Sequence, residues 1–336
     1  MTILITIADL DTADVERIRH AAASNDVVWR PCRRAAQIGS ALEPGVSVLL
    51  ADGLPDSIDR GPDLQWIQLA SSGVDGYRAS PAWAAEALTI TNARGVAAAA
   101  ISEYVIGTML QHAHRLPAAQ AVRSARAWPT EYEPLEASLL FGCTIGIIGY
   151  GSVGRRIASI AHQLGMHVIS MRSAAPPGRA DLDWTAPEIR ALEGTVPLEL
   201  VGPDGKSDLL TRADYVVITV PRTPATTGLL DKADFDVMKP GAVLVNVARG
   251  GIVDEGSMLE ALKSGRLAAA IIDVTEQEPP PATSPLYDSE RVLMTPHIAG
   301  YFHGYMSWVA RLFVDNLTRF LDNRPLLNVV DRRRGY

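Results

Sequence analysis

The stretch CTIGIIGYGSVGRRIASIAHQLG, Cys143 to Gly165, constrains the fold of this chain more than any other. Its apolar run TIGII has no polar alternation, which suits a strand buried on both faces. The run breaks at Gly149-Tyr150-Gly151-Ser152-Val153-Gly154 and then takes up helical periodicity, so a strand, a glycine turn and a helix are expected in that order. The first glycine suits a tight turn, the second lets backbone approach a pyrophosphate, and the third lets the helix pack closely on the strand. A helix N-terminus there offers amide donors and the positive end of a dipole. The segment is therefore expected to hold a dinucleotide, with Gly149, Gly151, Ser152, Val153 and Gly154 at the phosphates. A purely structural glycine turn is the plainer alternative.

The rest of the chain repeats this rhythm. TILITIA, VSVLLADG, LQWIQLA and ALTITN alternate with helical stretches and lead into a long helical pattern from Ala98 to Arg115. A second series follows: CTIGIIGYG, HVISM, DYVVITVP, AVLVNVA, LAAAIIDV and RVLMT. Alternation of this kind predicts an α/β protein with parallel sheets, and 336 residues suit two domains. Leu116 to Pro134 reads as a connection between the series, and the Pro-, Gly- and charge-rich segment Ser173 to Asp208 as an extended surface connection. The amphipathic pattern from His303 to Leu321 predicts a helix that packs back on the first domain. The expected division is 1–96 with 298–336 as one domain and 97–297 as the other, linked by two chain crossings.

Composition excludes several functions. A net charge of −7 argues against a nucleic-acid partner, and the short run Arg332 to Arg334 reads as a solvated tail. Cys32 and Cys143 supply neither a disulfide framework nor a paired metal motif. His112 and His114, two apart on a helix, point to different faces, so no metal site is expected. The opening MTILITIADLD lacks a basic leader and reads as a first strand, and the longest apolar run is too short to span a bilayer. A cytoplasmic protein without a membrane segment is the expectation.

Three polar residues stand directly after strand-like runs or close to them: Arg249 in NVARGGIVDE, Glu278 in EQEPP and His297 in TPHIAG. Ligands of open α/β sheets bind beyond the carboxyl ends of strands, so the three are expected to converge at one edge. A carboxylate bonded to histidine fixes its tautomer, and a guanidinium binds a carboxylate and polarises a carbonyl. A fourth residue, Arg172, lies eighteen residues past Gly154 at the end of HVISM. An acid in that place accepts hydrogen bonds from the adenosine ribose; an arginine followed by Ser173 suits a 2′-phosphate instead.

The run from TTGLLDKADFDVMKPGAVLVNVARGGIVDE through EQEPPP to VLMTPHIAG, with CTIGIIGYGSVG upstream, resembles the D-isomer-specific 2-hydroxyacid dehydrogenases, of the glyoxylate/hydroxypyruvate reductase kind. The resemblance implies a Rossmann-type doubly wound nucleotide domain, a flavodoxin-like α/β substrate domain and an active-site cleft between them. It makes His297 the general acid/base, Glu278 its partner and Arg249 the substrate anchor, with Ser71, Ser72 and Gly73 of ASSGVDG, together with Arg249 and His297, as the substrate-binding residues. To the cofactor it assigns Val220, Pro221, Thr226, Val247, Ala248, Asp273 and Gly300, besides Arg249, His297 and the glycine turn. NADP(H) is the preferred cofactor, with NAD(H) possible, and the substrate a small 2-oxo or D-2-hydroxy acid. A homodimer is implied, with the connection from Arg115 to Pro134 reaching over the partner. One branch resembling this family serves as nucleotide-sensing corepressors, so a non-enzymatic binding protein of the same fold is the alternative.

Overall fold

The computed structural model describes residues 1–131, 135–173 and 182–336. The chain divides into two compact units, the first comprising Met1–Ala97, Pro176–Pro187 and Phe302–Tyr336, the second Ala98–Ala175 and Glu188–Tyr301.

Unit 1 opens with β1 (Thr2–Ile5), α1 (Thr12–Ala21), β2 (Asp26–Trp29), α2 (Ala35–Ala41), β3 (Val46–Ala51), β4 (Trp66–Leu69), α3 (Pro81–Ala84) and β5 (Thr89–Thr91). The five strands pair in parallel in the order β2-β1-β3-β4-β5. That is the flavodoxin-like order. Every residue of β3 and β4 is buried, as parallel strands covered on both faces require.

Unit 2 carries α4 (Ala98–Ala113), α5 (Leu116–Ser124), β6 (Thr144–Ile148), α6 (Ser152–Gln163) and β7 (His167–Met171). It continues through α7 (Pro187–Arg190), β8 (Leu198–Val201), α8 (Lys206–Arg212), β9 (Tyr215–Ile218) and α9 (Lys232–Val237). Then come β10 (Ala242–Asn246), α10 (Glu255–Ser264), β11 (Leu267–Ile272) and β12 (Val292–Met294). Its seven parallel strands run β12-β11-β10-β9-β6-β7-β8. Read from β8, this is the doubly wound dinucleotide order extended by one strand, and its switch point lies between β6 and β9. The glycine turn follows β6.

The last helix, α11 (Tyr305–Leu321), returns to unit 1. Phe313 stacks on Trp66 of β4 at 5.2 Å between ring centroids, and Ser307 Oγ donates to Asp14 Oδ2 of α1 at 2.5 Å. A buried polar network also ties it down: Asn316 Nδ2 donates to Gln68 Oε1 at 3.0 Å, and Thr91 Oγ1 to the same oxygen at 2.8 Å.

The structure departs from the sequence expectation in three places. Residues 182–187, expected within 97–297, join unit 1, so the chain passes between the units four times rather than twice. Trp184 explains this: its backbone N–H donates to Asn328 Oδ1 at 2.9 Å, its indole N–H to Asp315 Oδ2 at 2.8 Å, and neighbouring Asp183 pairs with Arg94 at 2.7 Å. The supposed plain connection 173–208 also contains α7, β8 and the start of α8, and residues 174–181 of it lie outside the described residues. β8 escapes hydrophobic patterning because it pairs on one side only, and its Glu199 faces out to bond Arg212 at 2.7 and 3.1 Å. Finally, Leu116 to Ser124 is helical, but none of its residues is buried, so no apolar stripe marks it.

Candidate active site

The glycine turn divides its work by position. Gly149 has φ +114°, and a Cβ there would lie 2.7 Å from Thr219 Oγ1, so the turn is drawn against the end of β9. Thr219 Oγ1 holds it by donating to the Gly149 carbonyl at 2.9 Å. A Cβ on Gly154 would fall 2.1 Å from that same carbonyl, which is why the helix can sit this close to the strand. At Gly151 the position is open, with nothing within 4 Å of an added Cβ. Gly151 is also the N-cap of α6, and no side chain caps the helix. This twelve-residue helix has no side-chain cap at its N-terminus, and the positive end of its dipole is a setting for an anion. These features fit a dinucleotide pyrophosphate.

The end of β7, which leads into Arg172 and Ser173, adjoins this turn. Gly149 N–H donates to the Met171 carbonyl at 2.8 Å, and Arg172 N–H to the Val201 carbonyl at 3.1 Å, so the end of β7 is pinned between the turn and β8. Arg172 and Ser173 are exposed. Burial raises the pKa of the Tyr150 hydroxyl, while Arg155 and, more weakly, Arg172 pull it down.

At the carboxyl ends of three adjacent strands, β10, β11 and β12, stand Arg249, Glu278 and His297. His297 Nδ1 lies 2.8 Å from Glu278 Oε2, and both side chains are partly open to solvent. A carboxylate only accepts, so the proton sits on Nδ1 and Nε2 is left to exchange one. Glu278 is itself steadied by the Thr275 N–H at 3.2 Å. His297 adopts φ +55°, a left-handed conformation held by its N–H bonds to the carbonyls of Asp273 at 2.8 Å and Thr295 at 3.0 Å.

Asp273, expected among the cofactor contacts, is 2% exposed, and its carboxylate is engaged elsewhere. One oxygen accepts from Thr295 Oγ1 at 2.6 Å and Ile298 N–H at 2.8 Å, the other from Ala299 N–H at 2.9 Å. Tyr104 on α4 joins through its hydroxyl, 2.6 Å from Thr295 Oγ1, and burial raises its pKa. The turn presenting His297 is thus clamped from beneath by a buried carboxylate.

Arg249 lies on the turn after β10, where its Nη1 donates to the Ala248 carbonyl at 2.7 Å. Gly250 is a residue whose importance sequence reasoning missed. A Cβ there would lie 1.9 Å from the Thr275 carbonyl, so this glycine alone lets the Arg249 turn press against the segment that carries Glu278. Its doubled glycine, ARGG, was the available signal. Val247 and Ala248 are buried in the same turn. Thr226 shapes the loop after β9, donating to the Pro221 carbonyl at 2.6 Å and accepting from Thr223 N–H at 2.8 Å, while Val220 and Pro221 lead into that loop. Gly300 follows the His297 turn.

In unit 1, Ser71, Ser72 and Gly73 form the loop after β4. Their carbonyls are all occupied, by Ala93 N–H at 2.9 Å, Asn92 Nδ2 at 2.7 Å and Ser71 Oγ at 3.0 Å respectively. Among the described residues the amides of Ser72 and Gly73 have no acceptor, leaving two donors for an anion. Tyr305 of α11 braces the loop by donating to the Ala70 carbonyl at 2.8 Å, and burial pushes its pKa up to about 12.

No group of histidine, cysteine or acidic residues suited to a metal occurs among the described residues, and no described helix is long and apolar enough to cross a membrane.

Comparison with known proteins adds an independent line. The family model described as "D-isomer specific 2-hydroxyacid dehydrogenase, NAD binding domain" matches residues 106–299. A glycerate dehydrogenase of Methylorubrum extorquens is 32% identical over 297 residues, covering 85% of this chain and 86% of that protein. A D-3-phosphoglycerate dehydrogenase of Archaeoglobus fulgidus is 33% identical over 274 residues, 82% of this chain; the chain spans only 48% of that relative. Among solved structures, a D-isomer specific 2-hydroxyacid dehydrogenase family protein of Aeromonas salmonicida superposes with a TM-score of 0.76 at 29% identity, covering 98% of this chain and 99% of the other.

Proposed function

The chain belongs to the D-isomer specific 2-hydroxyacid dehydrogenase family, and from that premise we propose that it reduces a small 2-oxo acid, of the glyoxylate or hydroxypyruvate kind, to the D-2-hydroxy acid with NADPH. The observation that carries the reading is the His297–Glu278 pair at 2.8 Å, set beside the Arg249 turn on three neighbouring strand ends. Unit 2 is the dinucleotide domain, held through Gly149, Gly151, Ser152, Val153, Gly154, Arg172 and Ser173, and unit 1 the substrate domain. When bound, the nicotinamide supplies a hydride for C2 of the substrate.

The chain's own residues do the rest. His297, with Nδ1 engaged by Glu278, gives a proton from Nε2 to the substrate's C2 oxygen in reduction and takes one back in oxidation. Arg249 binds the carboxylate and stabilises charge developing on the oxygen. In unit 1, the amides of Ser72 and Gly73 offer donors to an anionic group. Asp273 acts through His297, by fixing the turn that presents it. A panel of 2-oxo acids assayed with NADPH and NADH tests the reading: glyoxylate or hydroxypyruvate should be turned over, and no reduction of any 2-oxo acid with either nucleotide would leave only a nucleotide-binding protein.

The chain is also expected to work as a homodimer. Leu116, Trp128, Leu139 and Phe141 are 49, 86, 65 and 74% exposed within one stretch of unit 2. Exposed apolar side chains of this size suit burial against a second copy. The arm would be the connection 115–134, of which 132–134 lie outside the described residues. Light scattering at micromolar concentration should give twice the chain mass of 36.1 kDa; a monomer mass would end the idea.

A further inference from the structure

The long connection after β7 brings an acid back to the glycine turn. Beyond α7 the backbone turns tightly, with Leu192 N–H donating to the Ile189 carbonyl at 3.0 Å and Glu193 N–H to that of Arg190 at 3.1 Å. Ser159 on α6 fastens this turn to the helix, its Oγ donating to the Leu192 carbonyl at 3.4 Å. Glu193 is thereby set with Oε2 at 3.9 Å from Nε of Arg155, the residue that follows Gly154. Its side chain is 16% exposed, and Oε1 is buried with no hydrogen-bond partner among the described residues. Tyr150 lies between the first two glycines; burial raises the pKa of its hydroxyl, with smaller influences from Arg155, which lowers it, Glu193, which raises it, and Arg172, which lowers it. The Glu193 carboxylate and the Arg155 guanidinium therefore meet beside the glycine turn that follows β6, and Arg172 follows β7, the strand paired with β6.

We propose that Glu193 is a cofactor-selectivity residue, a fixed negative charge that the connection holds at the adenosine end of the dinucleotide site, where it opposes the 2′-phosphate that Arg172 and Arg155 attract. The inference rests on the reading that unit 2 takes a nicotinamide dinucleotide with its adenosine beside Arg172. A 2′-phosphate brings up to two negative charges and a ribose hydroxyl none, so a carboxylate nearby acts on NADP(H) and is nearly silent toward NAD(H). With Arg155 half neutralised by Glu193, Arg172 is left as the main phosphate partner.

Direct binding titrations of the full chain with NADPH and with NADH, without substrate, test this independently of turnover. Glu193→Gln, nearly isosteric, should tighten NADPH by about three- to tenfold, as expected of removing one charge that opposes a solvent-exposed phosphate, and leave NADH within about twofold. The gain should shrink as salt is raised. Arg155→Gln should do the reverse and weaken NADPH selectively. An equal shift for both nucleotides, no shift, or weaker NADPH binding in Glu193→Gln would overturn the proposal. Arg172→Asp separates the two levels of argument. If it weakens NADPH while Glu193→Gln changes nothing, the selectivity role of Glu193 fails and the dinucleotide reading stands; if neither variant alters NADPH binding, both fall.

Discussion

Replacing His297 with alanine is expected to lower kcat for reduction by about 10²–10⁴-fold, the usual worth of a positioned acid/base, while nucleotide affinity stays nearly unchanged. The separation of the two effects follows from how the residue is held. The turn that carries it depends on the Asp273 carboxylate and on the backbone bonds of residues 297–299, none of which involves the imidazole. Alanine in a left-handed conformation adds a local cost, since histidine tolerates φ +55° better, but that cost falls on stability rather than on the chemistry. Glu278→Gln should cause a smaller loss, because the amide still offers an oxygen to Nδ1 yet no longer counters the charge of a protonated ring. Steady-state assays with hydroxypyruvate and nucleotide titrations on the same preparation measure both quantities. Wild-type turnover in the alanine variant would remove His297 from the mechanism.

What could be read from the sequence were the features whose causes are local. The strand, glycine turn and helix around Gly149 to Gly154 are set by a few consecutive residues, and the structure places each glycine where its missing Cβ matters or, at Gly151, where space is left open. The parallel strands of the second sheet follow from the same rhythm, while their doubly wound order is what the family resemblance implies. Features set by partners far along the chain could not be read. Trp184 belongs with unit 1 because of Asn328 and Asp315, 144 and 131 residues away, and nothing in its own neighbourhood announces that. The resemblance assigns Asp273 to the cofactor; its carboxylate's bonds to the backbone at 298 and 299 appear only when β11 and β12 lie side by side. The approach of Glu193 to Arg155 is likewise a product of tertiary packing across the long connection.

Arg172→Asp is expected to reverse the choice of nucleotide. The wild-type chain should favour NADPH over NADH by at least about tenfold in kcat/KM, since a charge-assisted bond to phosphate contributes roughly 1.5–3 kcal/mol. The geometry bears on the size of the effect. Arg172 is anchored at its backbone through the Val201 carbonyl at 3.1 Å, directly after the residue that accepts from Gly149, so its side chain starts from a fixed point beside the glycine turn. Its guanidinium is exposed, which limits the gain from a low-dielectric setting but leaves it accessible to a phosphate. Ser173, next along the chain and also exposed, adds a hydroxyl donor. An aspartate at 172 would exchange that attraction for repulsion of the 2′-phosphate and offer an acceptor to the ribose hydroxyls, so the discrimination should swing by about a hundredfold or more when the loss for NADPH and the gain for NADH are combined. Glu193 already opposes the phosphate, so the variant would meet two carboxylates with only Arg155 against them, and the reversal should be steeper at low salt. Initial rates with both nucleotides across a range of ionic strength measure this. Equal or better use of NADH by the unmodified chain would show that Arg172 does not read the 2′-phosphate.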